Sequence, residues 1–249
     1  MTLDFKGERI NPLLVNDVTF ANHIMRYQFA AEIIASSKRR PKSILDIACG
    51  AGYGTAFLAE KFHDIRIDGR DIDHDAIALA TKLYSTERCK FSVEDLRDYE
   101  GAEKFDLVIS FETLEHIDFP EVYFSSIYER LENGGTFILS VPDKRSNIDA
   151  GYQNSYHLNE MYLENLIELV ASSFRGYKLY IQKQRKISKL RRIVGKLLSK
   201  YLPGIKSKIL TSARKVILVS FDFHHLHQNH HRHKYQGGLK FQVNTFLSI

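Results

Sequence analysis

Five short apolar runs, SILDIA (43–48), IRIDG (65–69), KFSV (90–93), FDLVIS (105–110) and GTFILSV (135–141), alternate with stretches near 54–62, 74–84, 121–132 and 159–173 whose apolar residues recur at helical spacing. That alternation is the strongest constraint on the chain. Parallel strands need a crossover long enough to hold a helix, so strands separated by helices imply βαβ units and a sheet covered on both faces. The expected fold is an open α/β sandwich. Residues 20–37 add an amphipathic helix before the breaker Pro41. With 249 residues, 44% of them apolar, the chain can bury one large core with an appendage, and disorder as its main state is excluded. No window approaches eighteen uninterrupted apolar residues and the start, MTLDFKGERI, has no apolar signal core, so a cytoplasmic protein without a span or leader is expected. Two cysteines, Cys49 and Cys89, form neither a disulfide scaffold nor a zinc pattern.

The first run ends in DIACGAGYGT (46–55), where Gly50, Gly52 and Gly54 open the next helix. Glycine lets the backbone turn tightly and lets a ligand lie against bare main chain at a helix N-terminus. A purely structural turn uses the same glycines, so the acids around the loop decide. Asp71 ends the second strand, where a carboxylate can accept both hydroxyls of a ribose. The loop reads DxxCGxGxG and not GxGxxG, and its own Asp46 suits a ligand with a cationic centre and an ammonium group better than a pyrophosphate. S-adenosylmethionine is such a ligand.

On these residues the chain resembles the class I S-adenosylmethionine-dependent methyltransferases, over about residues 20–183. ILDIACGAGYGT is similar to their first motif with Ala48 where glycine is common, GRDIDHDAIALA to the second, FSVEDLRDY to the third, FDLVISFETLEHI to the fourth, and LENGGTFILSVPD to the fifth strand with its turn. The resemblance implies a Rossmann-like sandwich with a mostly parallel, seven-stranded sheet. It implies a cofactor set of Asp46, Ala48, Gly50, Gly52, Asp71, Ile72, Asp95 and Leu96: Asp46 and Gly50 near methionine, Asp71 on the ribose, Ile72 against adenine, Asp95 at the adenine amino group with Leu96 beside it. A helix cap is the other reading of Asp95. HIMRYQFAAEI before the loop and YHLNEMYLENLIE after the fifth strand look like methyltransferases of polysaccharide and sugar biosynthesis. Asn22, His23, Arg26 and Tyr27 would then close over the cofactor; a cover helix packing only through Ile24, Phe29 and Ile33 is the alternative.

Glu112, Glu115 and His116 stand at i, i+3 and i+4, and on a helix they share one face. Two carboxylates and an imidazole, completed by His157, suit Mg²⁺ or Mn²⁺. The pattern resembles metal-dependent O-methyltransferases of ubiquinone synthesis and of small-RNA 3′ ends. Either a metal or a general base would ease removal of an alcohol's proton, so Glu112, Glu115, His116 and His157 are candidate catalytic as well as metal residues, with His116 as plain base or a structural role for it left open.

Charge divides the chain. Residues 1–168 hold 18 Lys and Arg against 29 Asp and Glu, whereas residues 169–249 hold 17 against one acid, Asp222. Three regions follow: a cover-helix region 1–40, a methyltransferase core 41–183, and a basic, His-rich segment 184–249 with a possible last strand. In 187–198 Ile187, Leu190, Ile193, Val194, Leu197 and Leu198 line one stripe opposite Lys and Arg. Such a helix suits an anionic membrane surface, here through 184–215 and on the inner face of the membrane, more than nucleic acid; a solvated basic face needs no partner. The resemblance further implies that GYKLYIQ and LKFQVNTFLSI make a closing antiparallel pair, with 184–238 inserted between them. Histidines 224–233 form a weak soft-metal site at best. The expected activity is methyl transfer to an oxygen of a sugar or of a glycan or lipid-linked intermediate. Alternatives are an RNA 2′-hydroxyl, a quinone-type small molecule, or an inactive module recruited to membranes.

Overall fold

The computed structural model describes residues 17–98, 103–149, 151, 153–174, 176–183, 215–222 and 243–247. The element order opens with α1 (Asp17–Ser36), β1 (Ser43–Ile47), α2 (Tyr53–Lys61), β2 (Arg66–Asp71), α3 (His74–Tyr84), β3 (Cys89–Val93) and β4 (Phe105–Phe111). It continues with α4 (Pro120–Arg130), β5 (Leu131–Pro142), α5 (Lys144–Asp149), α6 (Leu163–Ser173), β6 (Tyr177–Lys183), β7 (Lys215–Asp222) and β8 (Val243–Leu247). The strands and helices read from that alternation, the helix of 20–37 and the strand GYKLYIQ are present within a few residues of their expected bounds. Local chemistry explains several boundaries. The Asp73 carboxylate accepts the N–H groups of Asp75 and Ala76 at the start of α3, and Pro120 occupies the first turn of α4, where no intrahelical donor is needed.

The strands lie in the order β3-β2-β1-β4-β5-β7-β6-β8. β1 to β5 are mutually parallel; β7 runs antiparallel to both β5 and β6, and β8 joins the outer side of β6 in parallel. Among the described residues the sheet has eight strands where seven were expected, and the antiparallel position belongs to KVILVSFD instead of the terminal LKFQVNTFLSI. β7 has both of its hydrogen-bonding edges paired, and its sequence is an apolar, β-branched run; VNTFL alternates with polar residues and suits an edge. The expected basic helix (187–198) and the histidines of 224–233 lie outside the described residues. Among the described residues no helix is long and apolar enough to cross a membrane.

Alternation along the strands feeds two cores. Ile44, Ile67, Leu107, Ile109 and Ile138 pack under α1 and α2 with Phe29, Ile34 and Leu58, while Leu45, Val108, Phe137 and Leu139 pack on the other face with Tyr123, Ile127, Leu166 and Val170 of α4 and α6. From β1 the chain proceeds to β2 on one side while β4 lies on the other, so the C-terminal ends of β1, β2 and β4 flank a topological switch point, the usual ligand position in an open α/β sheet.

Candidate active site

β1 delivers Asp46 into this edge, 1% exposed. Its carboxyl accepts hydrogen bonds from Thr55 Oγ1 at 2.6 Å and from the Tyr27 hydroxyl at 3.1 Å. Burial pushes this carboxyl up to about 7; the two hydroxyl donors pull it down, and the charge of Asp71 adds a smaller upward push. The backbone then coils through left-handed conformations at Ala48 (φ 56°), Gly50 (56°) and Gly52 (76°). At Gly52 a side chain is excluded outright, since a Cβ would stand 2.6 Å from Ala80 Cβ. At Gly50 a Cβ would meet nothing within 4 Å, so bare main chain faces open space. The Gly50 N–H donates to Asp71 Oδ2 at 2.8 Å, the Asp73 N–H donates to Oδ1 at 2.9 Å, and the Cys49 N–H donates to the Arg70 carbonyl. Loop and acid are one stitched unit.

Beside that unit Ile72 is 53% exposed, an apolar side chain left at the end of β2. Asp95 accepts the Arg97 N–H at 2.9 Å and pairs with its guanidinium, whose hydrogen bonds hold the carboxyl below its usual range. It caps the 3-10 turn Leu96–Asp98, the second of its two readings. Leu96, next to Asp95, is partly buried against the core that holds residues of α4 and α6, and its carbonyl accepts the Ser126 hydroxyl. Bare backbone at Gly50, a buried carboxyl at Asp46, a ribose-ready carboxylate at Asp71 and an exposed apolar surface at Ile72 together fit an adenosine joined to a cationic amino acid.

α1 contributes more than cover. Tyr27, 6% exposed, stacks edge-on against Phe111 at 5.1 Å and occupies the space over Gly54, where a Cβ would lie 1.9 Å from the ring. Arg26 donates from Nε to Gln182 Oε1 and from Nη2 to Glu112 Oε2, both at 3.1 Å. Gln182 in turn donates to the Asn22 carbonyl. His23 Nδ1 meets the Tyr53 hydroxyl at 3.2 Å; burial first, then the Arg26 charge, holds this imidazole well below its ordinary value and therefore neutral. Phe29 does enter the core, so the helix serves both purposes.

At the end of β4 one expectation fails. Glu112 is not on a helix with Glu115 and His116: its φ is 51°, its N–H donates to the Ser140 carbonyl, and its carboxylate is taken by the Ser140 hydroxyl (2.8 Å) and Arg26. The left-handed turn aims it toward α1, and it leaves the set of candidate metal ligands. The other three residues do converge. Glu115 (2% exposed), His116 and His157 each offer a ligand atom within 4.8 Å of the others. The His116 Nδ1 donates to the Tyr156 carbonyl at 3.0 Å, and His157 Nδ1 lies 2.6 Å from Glu160 Oε1. Both rings are held through Nδ1, at the Tyr156 carbonyl and at Glu160. The Leu158 and Asn159 N–H groups donate to the Glu115 carbonyl and lock the 154–160 segment over β4. One carboxylate and two imidazoles fit a divalent cation such as Mn²⁺, with one carboxylate fewer than the four-residue set would supply.

Sequence reasoning missed Thr55, Ser140, Gln182 and Glu160. Thr55, inside the glycine motif, and Glu160, three residues after His157, carried local signals; Ser140 and Gln182 act through partners distant in sequence.

A family model described as a methyltransferase domain matches residues 21–182. Malonyl-(acyl-carrier protein) O-methyltransferase 2 of Ilyobacter polytropus is 34% identical over 99 residues, 39% of this chain and 38% of that protein. A probable S-adenosylmethionine-dependent methyltransferase of Mycolicibacterium smegmatis is 27% identical over 181 residues, 69% of this chain and 65% of that protein. The chain thus spans less than two thirds of the length of these relatives. In fold it is similar to the plantazolicin methyltransferase BpumL, solved with a pentazolic desmethylPZN analogue and S-adenosylhomocysteine: the TM-score is 0.59 at 16% identity, over 83% of this chain and 86% of that one.

Proposed function

The chain belongs to the methyltransferase-domain family, and from that premise we propose that it transfers a methyl group from S-adenosylmethionine to an oxygen of its acceptor. The observation that carries this reading is the unit formed by the glycine loop and Asp71, joined by the 2.8 Å bond from the Gly50 N–H, beside a strand end that presents His116. Asp46, Gly50, Gly52, Asp71 and Ile72 hold the cofactor, with Ala48 in the turn and Asp95 at its rim. When bound, the cofactor supplies an electrophilic methyl group on a sulfonium, and a neutral thioether leaves.

The work of the protein is orientation and proton removal. Lone-pair attack by the acceptor oxygen forms the carbon–oxygen bond as the methyl–sulfur bond breaks, and the hydroxyl proton passes to Nε2 of His116, whose Nδ1 is committed to the Tyr156 carbonyl. A second reading uses the convergence of Glu115, His116 and His157: a divalent cation held there would lower the cost of ionising the acceptor hydroxyl.

For the acceptor we favour a hydroxyl of a sugar, glycan or lipid-linked intermediate, supported by the motif combination around residues 20–33, 111–117 and 156–168. The basic stretch 184–215 supports an anionic membrane surface as the place of work, on charge and apolar striping alone.

Calorimetry with S-adenosylhomocysteine should show one site, abolished by Asp71→Ala. Incubation with labelled cofactor and cell extract should place label in the glycan or lipid fraction; label confined to RNA would overturn the acceptor, and no binding would overturn the activity.

A further inference from the structure

β2 and β3 stop pairing where the cofactor edge begins. Their parallel ladder ends with Asp71 opposite Val93, and one more bond, from the Glu94 N–H to the Asp71 carbonyl at 3.0 Å, carries it a residue further. Asp95 is the first residue beyond the ladder, so its position against Asp71 and Ile72 depends on what holds Glu94.

Side chains on the α4 face supply that hold. Arg70 donates from Nη1 to Glu94 Oε2 at 2.6 Å and from Nη2 to Glu103 Oε2 at 2.5 Å, and its guanidinium lies over the Phe105 ring at 5.4 Å from the centroid. Arg130, 0% exposed at the end of α4, takes the other Glu94 oxygen, and Arg66 takes the other Glu103 oxygen at 2.8 Å. Arg130, Glu94, Arg70, Glu103 and Arg66 thus form an alternating chain from α4 across the ends of β3 and β2 to the residue before Lys104 and β4. Among the described residues Arg70 is the one cation that touches both acids. Burial alone does not call for it: an apolar side chain at position 70 would cover Phe105 without desolvating a guanidinium. What the arginine fork adds is two directed bonds to two separate carboxylates. Through its main chain the same residue reaches the glycine loop, since the Arg70 carbonyl accepts the Cys49 N–H at 3.1 Å.

We propose that Arg70 is a positioning residue that sets the base specificity of the cofactor site: by clasping Glu94 and Glu103 it fixes how Asp95 leaves β3, and so where the amino group of an adenine finds its acceptor. This rests on the cofactor reading above, in which Asp95 stands at the rim of the site. The Asp95 carboxylate takes the Arg97 N–H and guanidinium and keeps acceptor capacity for a further donor. A carboxylate accepts from an amino group and has nothing to offer a carbonyl oxygen, so its placement decides between adenine and a 6-oxo purine.

The test is calorimetry of the full chain with S-adenosylhomocysteine and with S-inosylhomocysteine, which carries oxygen in place of the amino group at the purine 6-position. Wild type should prefer the adenosyl ligand about tenfold or more. Arg70→Met keeps an apolar stem over Phe105 and leaves each acid one guanidinium, Arg130 for Glu94 and Arg66 for Glu103, so the fold should survive. It should weaken S-adenosylhomocysteine about three- to tenfold and leave S-inosylhomocysteine nearly unchanged, which flattens the preference. Arg70→Lys, a point charge that cannot fork, should fall between wild type and Arg70→Met, and it carries the test if the methionine variant does not fold. Arg70→Met combined with Asp95→Ala should bind S-adenosylhomocysteine about as weakly as Asp95→Ala alone, because both remove one contact. Equal weakening of both ligands, an unchanged preference in the Arg70 variants, or additive losses in the double variant would make Arg70 a brace for the fold alone and overturn the proposal. A wild type that binds both ligands alike would overturn the place of Asp95 at the base, and this inference with it. Absence of binding by either ligand would instead overturn the cofactor reading itself.

Discussion

Ala48 stands in a left-handed backbone conformation, φ 56°, that costs an L-residue about 1–2 kcal/mol, and it is exposed, so no packing compensates locally. Ala48→Gly should remove the strain while adding unfolded-chain entropy, for a net gain of about 0.5–1 kcal/mol in urea denaturation. A loss of stability would mean that the Ala48 methyl makes contacts worth more than the strain. Glu112 shares the left-handed conformation, yet there the strain is functional placement: it turns the carboxylate away from Glu115 and toward Arg26. The placement of Asp46 and Asp71 against the glycine loop was legible in the sequence because each stands at a strand end close to those glycines. Glu112 was misassigned because its partner is 86 residues away and its turn has no glycine to announce it.

At the scale of elements, α1 is fastened to the sheet by a buried ion pair as well as by Phe29 and Ile34. Arg26→Ala leaves the mostly buried Glu112 with Ser140 alone and should cost about 2–4 kcal/mol, measured by chemical denaturation. The double variant Arg26→Met, Glu112→Gln should recover most of that loss, since both the charge and its orphan are gone; no recovery would show that Arg26 serves chiefly through Gln182. The periodicity of FANHIMRYQFAAEIIASS made the helix itself plain. Which face carried chemistry was not, because Arg26, Tyr27 and Phe29 point to a glutamate, an aspartate and the core respectively, and only the tertiary fold sorts them.

For the whole molecule, the acid-rich and base-rich parts of the chain are not separable pieces. β7, from the basic third, lies between β5 and β6, so cutting the chain at residue 183 removes an interior strand along with the cations. Membrane attraction is better tested by substituting Lys189, Arg191, Arg192, Lys196 and Lys200 with Gln. Flotation with phosphatidylglycerol vesicles should fall several-fold, at about 1 kcal/mol per cation near the surface, while S-adenosylhomocysteine binding is unchanged. Equal flotation would remove the membrane from the account. The parallel half of the sheet could be read from alternating runs, since each βαβ unit is local. The order of its last three strands could not, because it rests on pairings between segments far apart in sequence.

That late pairing also sets a timetable. During synthesis β1 to β5 can assemble first, but β6 emerges without a strand to join, since β7, its bridge to β5, begins only at Lys215, well after β6 ends at Lys183. Until β7 arrives, one flank of the nascent sheet stays open, and the Gln182 that steadies Arg26 from β6 is not yet in place. Completion of the cofactor edge thus waits for translation to pass residue 222, well after the glycine loop and Asp71 have been made.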